Sequence, residues 1–171
     1  MFSRFLLPCV AVILFLIEPI FTLFSRVEMF DRTLILVPHI LFMFLLFLSV
    51  YFDRKTGLKY AIVFGLLYDI VYVDILGLYT VLFPVFCFLI HWIVRFIQQS
   101  LFVITVLTIF FVAVLEFVAY EFFLLVDLTS MAMSTFLLSR LLPTILANFV
   151  ILIIIGWLFK YLIKNRKLQS V

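Results

Sequence analysis

The sequence predicts an all-α integral membrane protein, a bundle of about six transmembrane helices without a soluble domain. Of its 171 residues, 68% are hydrophobic and only 12% are charged, which is about half the charged fraction of a globular domain. The few charges cluster between apolar runs, most of them close to the roughly 20 residues that cross the hydrocarbon core. Because no linker rich in Pro, Gly or Ser interrupts these runs, residues 1–171 are predicted to form a single multi-span domain.

The apolar runs define six predicted spans. They are Phe5 to Phe24, Leu34 to Phe52, Tyr60 to about Val73, Leu78 to Ile97, Leu101 to Val126, and Leu142 to Ile163. The third run is too short to cross upright as an ideal helix. Since Asp74 and Gly77 interrupt the chain after it, we expect this span to tilt, to unwind, or to continue into the fourth inside the membrane.

Lysine and arginine predict the orientation of the bundle. Six spans place nine basic residues on one side, namely Arg4, Arg54, Lys55, Lys59, Arg95, Lys160, Lys164, Arg166 and Lys167. The other side has three, namely Arg26, Arg32 and Arg140. Because positively charged loops stay in the cytoplasm, both termini are predicted to be cytoplasmic. The net charge of +3 then follows from topology, and we expect no nucleic-acid partner.

The sequence contains no recognisable catalytic or metal-binding pattern. Cys9 and Cys87 lie in apolar spans without the spacing of metal ligands, and we interpret them as packing residues. His39 and His91 have no Cys or carboxylate at ligand spacing. There is also no glycine-rich phosphate loop and no nucleophile elbow. The prediction is therefore a protein that is not an enzyme and has no cofactor.

Glu18, Asp69 and Glu116 lie well inside predicted spans, where a charge at the bilayer centre costs roughly 3 kcal/mol. We therefore expect them to face the bundle interior. The favoured interpretation is that they join helices through hydrogen bonds worth about 0.6 to 2 kcal/mol each. A conduction path or substrate pocket is the alternative. Gly65 stands four residues before Asp69, so it should let a neighbouring backbone approach while Asp69 bonds across it.

A polar stripe runs down one face of the last span, past Pro143. Its members recur every four residues and are Arg140, Thr144 and Asn148. If the fifth and sixth spans pack antiparallel, the helical rise brings Glu121 near Arg140 and Glu116 near Asn148. We therefore expect Arg140 near the outer interface, with its guanidinium either directed inward, where it pairs with Glu121, or snorkelling outward.

Four stretches of the chain resemble the rod shape-determining protein MreD family. The central one is Gly65-Leu66-Leu67-Tyr68-Asp69-Ile70, followed by Leu76-Gly77-Leu78-Tyr79. The others are Phe5-Leu6-Leu7-Pro8 with Glu18, Leu115-Glu116-Phe117, and Ser139-Arg140-Leu141-Leu142-Pro143-Thr144-Ile145-Leu146-Ala147-Asn148. They agree with the family in order and spacing, and together they cover nearly the whole chain.

This resemblance implies a non-enzymatic component of the cell-elongation complex, in the plasma (inner) membrane of a rod-shaped bacterium. It implies as partners MreC, the actin-like MreB, a RodA-type glycosyltransferase and a class B penicillin-binding protein, besides membrane lipid. With the polar pattern, it gives a set of candidate structural and interaction residues: Glu18, Gly65, Asp69, Gly77, Glu116, Glu121, Arg140, Pro143 and Asn148.

The family's fold is also similar to the substrate-binding component of energy-coupling-factor transporters, which supplies an alternative function. The chain could be the substrate-binding subunit of a vitamin or small-molecule transporter, although its first span has Ala11 alone in place of an Ala-x-x-x-Ala seam. A third hypothesis is a flippase for a lipid-linked precursor. A ligand-sized cavity around Asp69 and Glu116 would favour either alternative, whereas a tightly packed interior would favour a scaffold.

Overall fold

A computed structural model describes residues 6–23, 26–29, 32–97 and 99–168 of the chain. Its elements are α1 (Leu6–Leu23), β1 (Arg26–Met29), β2 (Arg32–Ile35), α2 (Ile40–Tyr51), α3 (Arg54–Tyr68), α4 (Leu78–Phe96), α5 (Leu101–Leu125), α6 (Met133–Phe136) and α7 (Leu142–Leu168). The first π turn (Asp69–Val73) continues α3, and the second π turn (Leu137–Leu141) joins α6 to α7. The all-α prediction is confirmed, apart from an antiparallel β1–β2 hairpin that was not predicted.

Within the described residues, six helices form the bundle when α6, the second π turn and α7 are counted as one. Four of these described helices are long and apolar enough to cross a membrane, and they are Arg54–Val73, Leu78–Phe96, Leu101–Leu125 and Met133–Asn165. The apolar helices α1 and α2 are shorter. The last helix begins at Met133, before the predicted start at Leu142, because the π turn carries it through Arg140.

Helix α2 lies at the centre of the bundle, and all twelve of its residues are buried. Its sequence, ILFMFLLFLSVY, is apolar on every face, as expected of a helix surrounded by protein or lipid. Contacts with α1, α3, α4, α5 and α7 surround it. The core is rich in phenylalanine, and Phe42, for example, stacks on Phe83 of α4 with ring centroids 5.1 Å apart.

The shortest of the six helices is the second, so the prediction of a short third span was wrong. Asp53 caps α3 by accepting a hydrogen bond from the Thr56 amide (3.2 Å), and the basic turn before Tyr60 is therefore helical. The predicted span Leu34 to Phe52 is instead interrupted, because β2 ends at Ile35 and residues 36–39 are not helical. A 12-residue helix is about 18 Å long. Residues 36–39 add at most about 13 Å, so residues 36–51 reach at most about 30 Å, roughly the thickness of the hydrocarbon core.

Helices α3 and α4 form an antiparallel pair with very close backbones. A Cβ atom on Gly65 would lie 2.5 Å from the carbonyl oxygen of Tyr79 and 2.9 Å from the Cα of Thr80. A Cβ atom on Gly57 would lie 2.6 Å from the Cα of Ser49 in α2. Glycine at these two positions therefore lets α3 pack directly against the backbones of both neighbours.

Candidate functional site

The non-helical residues before α2 are held by side chains of α7. The Thr144 hydroxyl accepts a hydrogen bond from the Val37 amide (3.1 Å) and donates one to the Ile35 carbonyl (3.3 Å). Asn148 accepts from the His39 amide (2.7 Å) and donates to the Val37 carbonyl (2.8 Å). These side chains form the hydrogen bonds that a neighbouring strand or water would otherwise provide to the backbone of residues 35–39. Irregular backbone at membrane depth is tolerated where protein satisfies it in this way.

Glu18 connects α1 to the start of α2. Its side chain is only 2% exposed, and it accepts hydrogen bonds from the Leu41 amide (2.9 Å) and the Tyr68 hydroxyl (2.9 Å). The first amides of a helix have no partner within the helix, and they carry the positive end of its dipole. The carboxylate of Glu18 therefore caps α2 from a neighbouring helix.

Glu116 of α5 lies between two basic side chains. Its Oε1 is 2.6 Å from His39 Nε2, and its Oε2 accepts a hydrogen bond from Arg140 Nε at 2.8 Å. Because the carboxylate accepts in both contacts, we assign the proton of the imidazole to Nε2. Glu116 is 1% exposed, so its negative charge is balanced by the guanidinium inside the bundle.

The predicted pairing of Glu121 with Arg140 is wrong, as is that of Glu116 with Asn148. Arg140 binds Glu116, and Asn148 binds the backbone of residues 37 and 39. Both predictions assumed ideal helices in register. The second π turn adds a residue to the helix at Arg140, which rotates its side chain relative to Asn148. Pro143, the second residue after this turn, has no amide to donate to the carbonyl four residues earlier, which disfavours a regular α-helical turn there.

Asp69 organises the turn between α3 and α4. One oxygen accepts from the Tyr79 amide (2.8 Å), and the other accepts from the Gly77 amide (2.8 Å) and from the amide and hydroxyl of Thr80 (3.0 and 2.6 Å). Gly77 has a φ of 115°, a conformation that favours glycine. Asp69 is 0% exposed, so the prediction that it faces inward, bonding across the helix beside Gly65, is confirmed.

The whole arrangement can be compared with known proteins. The family model described as rod shape-determining protein MreD matches residues 3–165. The chain belongs to the MreD family. It is 30% identical over 165 residues to the rod shape-determining protein MreD of Bacillus subtilis (strain 168), with 96% of each chain covered. It is 29% identical over 125 residues to the cell shape-determining protein MreD of Streptococcus pneumoniae (strain ATCC BAA-255 / R6), with 73% of this chain and 76% of that one covered.

No solved structure matches the chain, and the likeness to transporter subunits therefore stays a prediction. Family membership and the apolar helices establish a multi-pass membrane protein of the rod shape-determining class. Within residues 6–23, 26–29, 32–97 and 99–168, no three His, Cys, Asp or Glu side chains are grouped as metal ligands. The thiols of Cys9 and Cys87 are free, the first exposed and the second buried.

His39 is the main residue of this MreD-family site that sequence reasoning missed. Its amide binds Asn148 and its ring binds Glu116, so it joins the last two long helices to the start of α2. In the sequence, His39 has no Cys or carboxylate at metal-ligand spacing, which leaves it without a predicted role. The available signal was a histidine directly after Pro38, between two apolar stretches, where a helix begins.

Proposed function

We propose that this chain is a non-enzymatic membrane component of the bacterial cell-elongation complex. It maintains rod shape by linking MreC, the actin-like MreB, a RodA-type glycosyltransferase and a class B penicillin-binding protein. Membership of the rod shape-determining MreD family is the observation that carries the proposal. Catalysis then belongs to the partners, and this chain provides a rigid platform for them in the membrane.

The polar contacts of the bundle support a scaffold over a transporter. Both oxygens of Asp69 bind the α3–α4 turn, both oxygens of Glu116 bind basic side chains, and both oxygens of Glu18 cap or join helices. A substrate would have to displace these bonds, each of which stabilises the fold. The cavity of about 300 Å³ near Arg140 is lined by neither Asp69 nor Glu116.

The outward faces of the helices offer surface for partners. Large apolar residues on α7 are well exposed, among them Leu146, Ile153, Ile154 and Trp157. A multi-pass protein with short connections presents such faces to lipid or to the membrane helix of a partner. We infer that MreC and the RodA-type enzyme contact the chain through these faces.

We also propose that both termini are cytoplasmic. Arg54, at the start of α3, lies over the ring of Phe88 at 4.6 Å, and Lys160 and Lys164 of α7 lie 5.8 and 5.7 Å from the ring centroid of Tyr51. These basic residues thus gather at one end of the bundle, as the positive-inside rule expects. Labelling of single cysteines at positions 55 and 165 with a membrane-impermeant reagent tests this. Modification in intact cells would contradict it.

The deciding experiment is depletion of the protein in its own bacterium, followed by microscopy. We expect the rods to become round and to recover when the gene is expressed again. Unchanged shape with a new requirement for an external nutrient would contradict the proposal and favour the transporter subunit. Copurification of MreC and the RodA-type enzyme with the tagged chain tests the partners separately.

Charge reversal of Arg54, Lys55 and Lys59 together tests the basic turn. Attraction to anionic lipid is worth about 1 kcal/mol per charge and requires no docking partner. Recruitment of the cytoskeletal partner should therefore stay intact once membrane insertion of the variant is verified. Loss of recruitment with normal insertion would instead make this turn a docking site.

A further inference from the structure

A cavity of about 300 Å³ lies beside the second π turn, between the end of α5 and the start of α6. One wall is aromatic, because the rings of Tyr120 and Phe136 stack with centroids 4.0 Å apart and an interplanar angle of 12°. The Tyr120 hydroxyl donates to the Met131 carbonyl at 2.8 Å, which fixes the connecting segment over the cavity. The cavity is therefore formed by packed side chains and by a connecting segment that the Tyr120 hydrogen bond holds in place.

Arg140 supplies the charge in this cavity, and it is the one charged residue among the described lining residues. Its side chain is 29% exposed, in contrast to 1% for its partner Glu116. Arg140 donates to Glu116 through Nε alone, and in the described part of the chain the two Nη groups have no acceptor. Paired Nη groups form the planar fork that matches phosphate and carboxylate oxygens. Arg140, which lines the cavity, therefore has guanidinium donors that are free to bind an anion.

The rim of the cavity is apolar and outward-facing. Leu128 lines it and is 61% exposed, whereas Leu125, three residues earlier and 82% exposed, is not one of the lining residues. Apolar residues so exposed in a membrane protein contact hydrocarbon, whereas Asp127 and Thr129 on the same segment are polar and belong at the interface. A ligand that fits both features has an anionic head and an apolar body.

We propose that this cavity binds the phosphate of an anionic phospholipid. The Nη groups of Arg140 donate to the phosphate oxygens, the Tyr120 and Phe136 rings pack against the glycerol region, and the acyl chains leave the cavity past Leu128. Glu116 holds the guanidinium in place through Nε, so binding requires no rearrangement of the buried ion pair.

The test compares two exposed leucines that differ in their position relative to the cavity. Leu128→Glu puts a carboxylate on the cavity rim, where it repels phosphate, whereas Leu125→Glu adds the same charge outside the cavity. Neither variant removes a member of the Glu116–Arg140 pair, unlike any substitution of Arg140. Purified full-length protein in a neutral detergent is titrated with phosphatidylglycerol, phosphatidylcholine or inorganic phosphate, and bound lipid is counted by native mass spectrometry.

We expect tighter binding of phosphatidylglycerol than of phosphatidylcholine, because the net charge of the lipid strengthens its bonds to Arg140. Leu128→Glu should lower the affinity for phosphatidylglycerol about tenfold or more, because its carboxylate repels the phosphate. Leu125→Glu should bind like the wild type. Equal binding by both variants and the wild type would overturn the site, as would equal binding of the two lipids. Saturation by inorganic phosphate at the same concentration as the lipid would overturn the lipid assignment. Thermal unfolding without lipid verifies that both variants fold.

Discussion

Two of the buried carboxylates, Asp69 and Glu116, stabilise the bundle over very different distances along the chain. Asp69 receives its four hydrogen bonds from residues eight to eleven positions later. Glu116 binds His39, 77 positions earlier, and Arg140, 24 positions later. Asp69 therefore shapes one turn between adjacent helices. Glu116 of α5 instead binds His39, at the start of α2, and Arg140, in the π turn before α7. It therefore holds together three helices, of which α2 is far from the other two in the sequence.

The two carboxylates also differ in the partner groups that stay unpaired when each carboxylate is removed. Without Asp69, three amides and a hydroxyl lack an acceptor, but no charge is exposed to the interior. Without Glu116, the guanidinium of Arg140 remains with its charge uncompensated at the edge of the core. An unpaired buried charge is more costly than unpaired amides. We therefore expect the loss of Glu116 to lower stability more than the loss of Asp69.

Replacing Glu116 by Leu should have the largest effect, a loss of about 3 to 5 kcal/mol, because it strands the charge of Arg140. Thermal unfolding in detergent and the amount of folded protein in membranes measure it. Glu121→Leu is the matched control on the same helix, and it should change stability by less than about 1 kcal/mol. The double variant Glu116→Leu with Arg140→Leu should recover part of the loss. Strictly additive losses would contradict the pairing.

Replacing Asp69 by Leu should lower stability by about 3 kcal/mol, because its four donors lose their acceptor. Asp69→Asn should lose about half as much, since one oxygen remains while the amide nitrogen faces other donors. Unfolding temperature and rescue of cell shape are the measurements. If both variants abolish rescue while protein levels and unfolding temperature stay normal, the carboxylate has a charge-dependent function beyond the turn.

Gly65→Ala tests the close packing on which the Asp69 turn depends. The new methyl group would meet the backbone of Tyr79 and Thr80 at 2.5 and 2.9 Å, so the helices must separate. We expect a loss of about 1 to 3 kcal/mol. Gly156→Ala is the control, because its nearest neighbour is the flexible side chain of Leu152 at 3.5 Å. It should be neutral or slightly stabilising. A similar loss in both variants would argue against close backbone contact at Gly65.

The smallest loss of stability is expected for the hydrogen bond that joins α1 to the first π turn. Tyr72 in the first π turn donates to the carbonyl of Phe15 at 2.7 Å, so Tyr72→Phe should lower stability by about 1 kcal/mol. Tyr161 on α7 is exposed, and no hydrogen bond of its hydroxyl is recorded in the described structure. Tyr161→Phe should therefore leave the unfolding temperature unchanged. An unaltered unfolding temperature in Tyr72→Phe would show that this bond adds nothing net.

The contrast between the two centres explains what the sequence could predict. The Asp69 turn is local, and the i, i+4 spacing of Gly65 and Asp69 with the later Gly77 was enough to predict close packing and an inward carboxylate. The boundaries of the first, fourth and fifth helices were likewise predicted to within one residue, because hydropathy alone sets them.

The Glu116 centre could not be predicted in the same way. Its partners depend on the second π turn, which changes the register by one residue, and on His39, which lies on a non-helical segment. Neither feature leaves a periodic signal in the sequence. The Leu34 to Phe52 run was likewise apolar throughout, so hydropathy could not show that only residues 40–51 of it are helical.

The buried position of α2 has a consequence for the synthesis of the protein. The second helix leaves the ribosome early. The residues whose side chains bind the segment before it are made more than seventy residues later, and they are Glu116, Thr144 and Asn148. Until the last helix is inserted, the amides of Val37 and His39 must find water or lipid headgroups instead. We therefore expect α2 to stay near a wet surface during translation, and to reach the centre of the bundle only after the whole chain is made.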